Sequence, residues 1–305
     1  MSSSFQNIVI IGASGAIGSI ILEAFLKTPS VTITILQRVS TTRTVFPPSA
    51  RVITIPDDYP HDSLVAAFAN QDAVINCVTT LAAHTQVRII SAAVEAGVRR
   101  FIPSEYGLNN NNPAARALCP VFREKGEVQD YLRTLEHRME WMAVANGMWL
   151  KWSATHEFLG MHIAARKFVL WDDGEGLFST TTEENTALAV VNALTNKWEE
   201  TANKVVWLSD FAVSQKQLLE AVERFMGEKF ETEFIDSKSF IREKQAAAAA
   251  GDGGATYALI ETGFVMGKYG GHLEKEGDIM NELLEIPKRS LDEVVKAAVE
   301  AVKTS

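Results

Sequence analysis

The hydrophobic pattern changes period as the chain is followed from its N-terminus. IVII at Ile8–Ile11 is an unbroken apolar run, too short for a helix and long enough for a strand buried on both faces. It meets Gly12, then the helical stretch SIILEAFLK at Ser19–Lys27, then a second strand-like run, VTITIL, at Val31–Leu36. Further strands are predicted at Arg51–Ile55 (RVITI), Asp72–Val78 (DAVINCV) and Arg100–Ser104 (RFIPS). Between them lie a helix from Asp62 to Phe68 and an amphipathic helix over Gln86–Ala96, closed by Gly97 as a C-cap. Strand alternating with helix predicts an α/β fold, a Rossmann-type doubly wound parallel sheet covered by helices on both faces.

Beyond Ser104 the pattern is less regular. Asn109–Asn112 followed by Pro113 reads as a loop. A helix is predicted from Val121 to Asn146, ended by Gly147, with a returning strand at Trp149–Ala154. Thr181-x-x-Glu184 and Ser214-x-x-Gln217 both match the capping box that opens a helix. Apolar pieces at Leu170–Trp171 and Val205–Leu208 suggest more sheet, and Ser290–Val302 a final amphipathic helix. GDGG at Gly251–Gly254 breaks the alanine-rich helix Gln245–Ala250. The expected division is a nucleotide-binding domain at residues 1–154, with returning segments near 178–210, and a smaller C-terminal substrate lobe at 155–305.

Composition narrows the function. A net charge of −9 argues against a nucleic-acid surface, which shows a basic field. Cys77 and Cys119 are the two cysteines and read as reduced thiols. Phe5–Leu26 carries a single charge, Glu23, but it lacks a basic leader and reads as a soluble strand and helix, so a cytoplasmic protein with no membrane span is expected. There is no HExxH, CxxC or GxSxG, so neither a metal site nor a hydrolase is expected.

Gly12, Gly15 and Gly18 fall at three-residue spacing where the first strand opens into the first helix. Glycines there let a bulky anion approach the backbone, and free N–H groups at a helix start favour a phosphate. The turn from Gly12 through Ser14, Gly15, Ala16 and Ile17 to Gly18 is the candidate dinucleotide site, with the Ser14 hydroxyl as an added donor. After the second strand come Arg38 and Arg43 with no acid between Leu36 and Arg43. A guanidinium there pairs with the 2′-phosphate of NADP, whereas NAD calls for an acid; the plainer alternative is a solvated basic loop. Thr79 and Thr80 follow the fourth strand, where the sheet edge meets the cofactor crevice.

Catalytic chemistry is harder to place. None of Tyr59, Tyr106, Tyr131, Tyr257 and Tyr269 has Lys four residues on, so the Tyr-x-x-x-Lys pair of short-chain dehydrogenases is absent. Lys125 in VFREKGEVQDYL is the candidate proton donor, because a partly desolvated lysine exchanges protons near neutrality. A surface lysine paired with Glu124 or Glu127 is the alternative. Trp152, His156, Phe158 and Met161 either line an apolar pocket or belong to the core.

The first half resembles the NmrA-like and isoflavone reductase-like group of atypical short-chain dehydrogenases, which includes phenylcoumaran benzylic ether reductases. The matching pieces are GASGAIG at Gly12–Gly18, Arg38, RFIPSEYG at Arg100–Gly107 and VFREK at Val121–Lys125. Beyond Trp149 the resemblance is looser and closest to fungal members tied to secondary metabolism. It implies an NADP(H) cofactor touched by Ser14, Arg38, Arg43, Thr79 and Asn146, with Lys125 as general acid/base. The expected activity is reduction of a small, aromatic or conjugated metabolite; the resemblance carries over no substrate residues, and Trp152, His156 and Phe158 are candidates for substrate binding on their apolar and aromatic character alone. A redox sensor binding NADP(H) without turnover, or a non-redox isomerase, would use the same scaffold.

Overall fold

The computed structural model describes residues 5–41 and 44–304; Arg43 lies outside the described residues. Among these, the strands are β1 (Asn7–Ile11), β2 (Thr32–Arg38), β3 (Arg51–Ile55), β4 (Ala73–Asn76), β5 (Arg100–Ile102), β6 (Glu140–Ala145), β7 (Met161–His162), β8 (Lys167–Trp171), β9 (Phe178–Thr180), β10 (Lys204–Trp207), β11 (Phe211–Val213) and β12 (Glu231–Ile235). The helices are α1 (Ala16–Leu26), α2 (His61–Phe68), α3 (Gln86–Glu95), α4 (Pro113–Leu118), α5 (Pro120–Thr134), α6 (Leu150–Thr155), α7 (Glu183–Thr195), α8 (Gln215–Met226), α9 (Ser237–Ala249), α10 (Gly253–Val265) and α11 (Leu291–Thr304).

Seven strands form one parallel sheet in the order β10-β6-β5-β4-β1-β2-β3, the doubly wound α/β fold the pattern predicted. Alternation along β1 shows why both faces are covered. Ile8 and Ile10 join the core made with Ile17, Ile21 and Phe25 of α1 and Val190 and Leu194 of α7. Val9 and Ile11 join the core made with Leu64 and Phe68 of α2, Ile89 and Ile90 of α3, and Val128 and Leu132 of α5. The order reverses between β1 and β4, so their C-terminal ends open the crevice where such sheets hold ligands. A third core, centred on Phe168, Trp171, Phe178, Leu218, Leu259 and Val299, belongs to the smaller sheets β12-β8-β7 and β11-β9 and the helices around them.

The structure corrects the reading of residues 121–154. The long helix ends at Thr134, and EWMAVA at 140–145 is a strand, β6. Its residues from Trp141 to Ala145 are all buried; a continuous apolar run of five residues, WMAVA, carries no periodicity to separate a doubly buried strand from a helix. Residues 150–155, expected as a strand, are helix α6. The first capping box is displaced by one residue, since Thr182 rather than Thr181 accepts from the Asn185 amide. The second is formed in both halves by Ser214 and Gln217.

Arg100, at the start of β5, is fully buried. Its guanidinium donates to Glu140 Oε2 from Nε at 3.1 Å and from Nη2 at 2.6 Å, to Thr201 Oγ1 at 3.1 Å and to the Trp198 carbonyl at 2.6 Å. Burial pulls its pKa down and Glu140 opposes that pull. Removing one partner of a buried pair strands the other charge, at a cost of about 3–5 kcal/mol. Because the Glu140 side chain is 29% exposed, water compensates in part, and Glu140→Ala is expected to cost about 2–3 kcal/mol in denaturant unfolding. A loss under about 0.5 kcal/mol would show that the pair does not anchor β5 to β6.

Candidate active site

Two adjoining cavities lie along the C-terminal edge of the sheet. The first, about 450 Å³, is walled by Gly12, Ala13, Ser14 and Gly15, by Gln37 and Arg38 at the end of β2 and Thr41 beyond it, by Asp57, Asp58 and Tyr59 after β3, and by Cys77, Val78 and Thr79 after β4. The second, about 250 Å³, shares Cys77 and Thr79 with it and runs past Ala16 and Ile17 to Lys125. Its walls carry Tyr106, Phe122, Trp149, Trp152, Phe158, Tyr257 and Phe264.

The glycine turn divides its tasks by residue. Gly12 has φ +77°, and a Cβ there would stand 2.4 Å from the Cys77 carbonyl oxygen, so the turn is pressed against the end of β4. Gly15 is extended, with φ −79° and ψ 173°, and its nearest obstacle to a Cβ is the Gly12 carbonyl at 3.2 Å. The fold does not forbid a side chain at Gly15; what its absence leaves open is the mouth of the crevice. Helix α1 starts here with no side-chain cap and no acid in its first turn, so its leading N–H groups face the crevice unscreened. These residues fit the pyrophosphate of a dinucleotide.

Arg38 closes β2 and is half-buried at the crevice wall. It faces more than the sequence suggested. Asp57 accepts from the Ser40 amide at 3.1 Å; hydrogen bonding from Ser40 holds its carboxyl below the ordinary range, with a smaller pull from Arg38. Arg88 of α3 donates to the Asp58 carbonyl and lines the same wall. Arg38 and Arg88 thus supply the cationic side of the pocket where an adenosine 2′-phosphate would lie, and the residues fit NADP(H). Asp57, Asp58 and Tyr59 follow β3 directly, and every residue just past a strand's C-terminal end in such a sheet is a crevice candidate.

Lys125 is 6% exposed on α5, and its amine donates to the Glu105 carbonyl at 2.7 Å rather than to Glu124 or Glu127. Burial lowers its pKa, opposed by Glu105 and then Cys119. Its neighbour Gly126 accounts for this depth. A Cβ at 126 would stand 2.3 Å from Arg116 Nε and 2.4 Å from the Asn110 carbonyl. A mid-helix glycine costs about 1 kcal/mol against alanine, and here it lets α5 press onto the Asn109–Asn112 loop.

Burial pushes the Cys77 thiol up to about 12 and Tyr106 well above its usual value; the thiol donates to the Tyr106 hydroxyl at 3.7 Å. Neither releases a proton readily near neutrality. Tyr106 also sits at φ +41°, a conformation disfavoured for a bulky residue and common where a site fixes a side chain.

The structure brings Gly12, Ser14, Gly15, Arg38 and Thr79 to one cavity, and Ala16, Ile17, Thr79, Lys125, Trp152 and Phe158 to the other. Asn146 is fully buried at the end of β6, with its amide on the Gly147 carbonyl at 3.1 Å, and lines neither. His156 is exposed, stacks on Trp152 at 4.3 Å and does not line the cavity, and Met161 is core. Sequence reasoning did not single out Tyr257, Ile260 and Phe264 of α10. Their i, i+3, i+7 spacing marks one helix face.

The class that this fold and site define is that of the NADP-dependent oxidoreductases. The chain belongs to the NmrA-like family, whose model matches residues 4–279. It is 32% identical over 293 residues to the oxidoreductase aprR of Aspergillus flavus, covering 94% of this chain and 97% of that one. A solved isoflavone reductase shares the fold with a TM-score of 0.76 at 22% identity, over 96% of this chain and 99% of the other. The binary complex of leucoanthocyanidin reductase with NADPH from Vitis vinifera aligns with a TM-score of 0.75 at 16% identity, over 97% and 100%. Among the described residues no helix is long and apolar enough to cross a membrane, and no cluster of His, Cys, Asp and Glu is arranged to hold a metal.

Proposed function

We propose that the protein reduces a small aromatic or conjugated metabolite with NADPH, using Lys125 as general acid/base and Trp152 and Phe158 among the side chains that grip the substrate. The observation that supports this most directly is the Lys125 amine, buried in the wall of an aromatic cavity that opens through Cys77 and Thr79 into the glycine-turn crevice. NADPH, when bound, supplies the hydride. The chain's own part is to orient the acceptor and move the proton. Trp152 and Phe158, in edge contact at 5.5 Å, offer a flat ring an apolar clamp. Lys125 is the lining group whose proton affinity burial moves toward neutrality from above, so it is the one suited to proton delivery. A ring bound where the crevice meets the aromatic cavity, at Cys77 and Thr79, would share that cavity with Lys125 and Tyr106.

The reading is tested by incubating the pure protein with NADPH and a panel of aromatic enones, benzylic ethers and quinones, following loss of NADPH absorbance. Sustained consumption with one chemical class supports it; tight NADPH binding with no consumption across the panel favours the sensor role instead. Cofactor choice gives a sharper prediction. Arg38→Ala removes a charge-assisted contact worth about 1.5–3 kcal/mol, so NADP⁺ affinity is expected to fall about 10–100-fold in calorimetry. NAD⁺ affinity should barely change, and an equal loss for both cofactors would refute the assignment of Arg38 to the 2′-phosphate.

A further inference from the structure

Behind Lys125 lies a polar cluster that the proposed reaction does not yet use. Glu105 follows β5 and is 3% exposed. Its Oε2 accepts from Asn110 Nδ2 and Gln129 Nε2, each at 2.6 Å, and these two donors are themselves 1% and 2% exposed. Gln129 is fixed in turn, accepting from Asn111 Nδ2 at 2.5 Å, and the Asn110 carbonyl accepts from Arg116 Nε at 2.8 Å. Glu105 Oε1 is buried with no hydrogen-bond partner. A carboxyl so enclosed cannot swing to water, and holding it as an anion demands compensating positive charge. That charge is at hand, because the Lys125 amine is tied to the main chain of the same residue.

We infer that the Glu105 carboxylate is the buried counter-charge that keeps Lys125 protonated in the empty site, which makes Glu105 a positioning residue for the proton donor. This rests on the reading of Lys125 as general acid/base. The other titratable groups around Lys125 supply less of that charge. Cys119 at the start of α5 pulls the same way as Glu105 but less strongly, and burial pushes both its thiol and the Tyr106 phenol up, away from ionisation. Tyr257 lines the cavity from α10. On α5 itself Glu124 is half-buried and Glu127 exposed, one and two positions off the Lys125 face. Arg116 of α4, paired with Asp130 at 2.7 Å, acts on Glu105 from behind. Burial drives Glu105 and Lys125 toward neutrality, and each opposes that drive in the other. Once Lys125 has delivered its proton, the carboxylate left beside it favours reprotonation of the amine from solvent, which resets the donor.

The test reads the amine directly, without cofactor or substrate. NMR of lysine ε-carbons in isotopically labelled protein follows the titration of Lys125, assigned by the signal lost in Lys125→Met. Glu105→Gln keeps size and hydrogen bonding but removes the charge, and should lower the Lys125 midpoint by about one pH unit or more, a tenfold loss of proton affinity. Glu105→Asp should restore most of that loss, with NADP⁺ affinity unchanged in both. An unmoved midpoint in Glu105→Gln overturns the inference. Should that variant fail to fold, Gln129→Leu carries the same test. It strips one donor from Oε2, favours the neutral carboxyl and must also lower the midpoint, and no change there overturns it equally. The parent reading fails separately, if Lys125→Met turns substrate over normally, and that result would leave the titration standing.

Discussion

Lys125→Met is expected to reduce turnover by about 10²–10⁴-fold, the contribution of a positioned proton donor, while NADP⁺ affinity is unaffected. Methionine suits the site because the stem of Lys125 is already buried. The variant gives up one hydrogen bond, to the Glu105 carbonyl, at about 1 kcal/mol, and leaves the buried Glu105 carboxylate without its counter-charge, which raises the stability cost to about 3–5 kcal/mol. Single-turnover rates beside calorimetric NADP⁺ titration separate the two effects, and undiminished turnover would remove Lys125 from the chemistry. The pH profile follows in sign. The donor acts as its ammonium, and burial shifts its pKa downward. The rate should therefore hold on the acid side and decline as pH rises through a midpoint below the usual lysine range. A plateau persisting to the ordinary lysine value would contradict that role.

The glycine turn supports an equally large and separable effect. Gly15→Val is expected to weaken both NADP⁺ and NAD⁺ by about 1–3 kcal/mol, the cost of overfilling a packed site, with a nearly parental Tm. The backbone at Gly15 is extended, which a β-branched residue accepts, and the one close neighbour of a Cβ, the Gly12 carbonyl oxygen at 3.2 Å, needs to give by only a few tenths of an ångström. Gly12→Ala should do the reverse and lower Tm, since a left-handed residue with a side chain costs about 1–2 kcal/mol before its contact with the Cys77 carbonyl is counted. Wild-type cofactor affinity in Gly15→Val would place the pyrophosphate elsewhere.

The two halves of the site were unequally legible in the sequence. The glycine turn and Arg38 were readable because a phosphate cradle is local: a strand, a turn and a helix start contiguous in the chain. The first five strands were readable for the same reason, each being a short apolar run bounded by turn residues. The aromatic cavity is assembled from the loop after β5, from α5, α6 and α10, and no single stretch encodes it. Glu105 looked like one acid in a motif, and its weight comes from Asn110 and Gln129 closing over it. Gly126 carried a signal that went unused, since a glycine inside a well-patterned helix calls for a packing reason. His156 has no periodic pattern to place it, and it stacks on Trp152 without lining the cavity.

One feature of the sheet bears on how the chain is made. Its outermost strand, β10, pairs with β6 but is separated from it in sequence by α6, α7 and three strands of the smaller lobe. As the polypeptide leaves the ribosome, β6 carries a bare hydrogen-bonding edge until residues 204–207 emerge. The seven-stranded sheet therefore closes only after β7, β8 and β9 of the smaller sheets have emerged, and chaperone protection is most valuable in that interval.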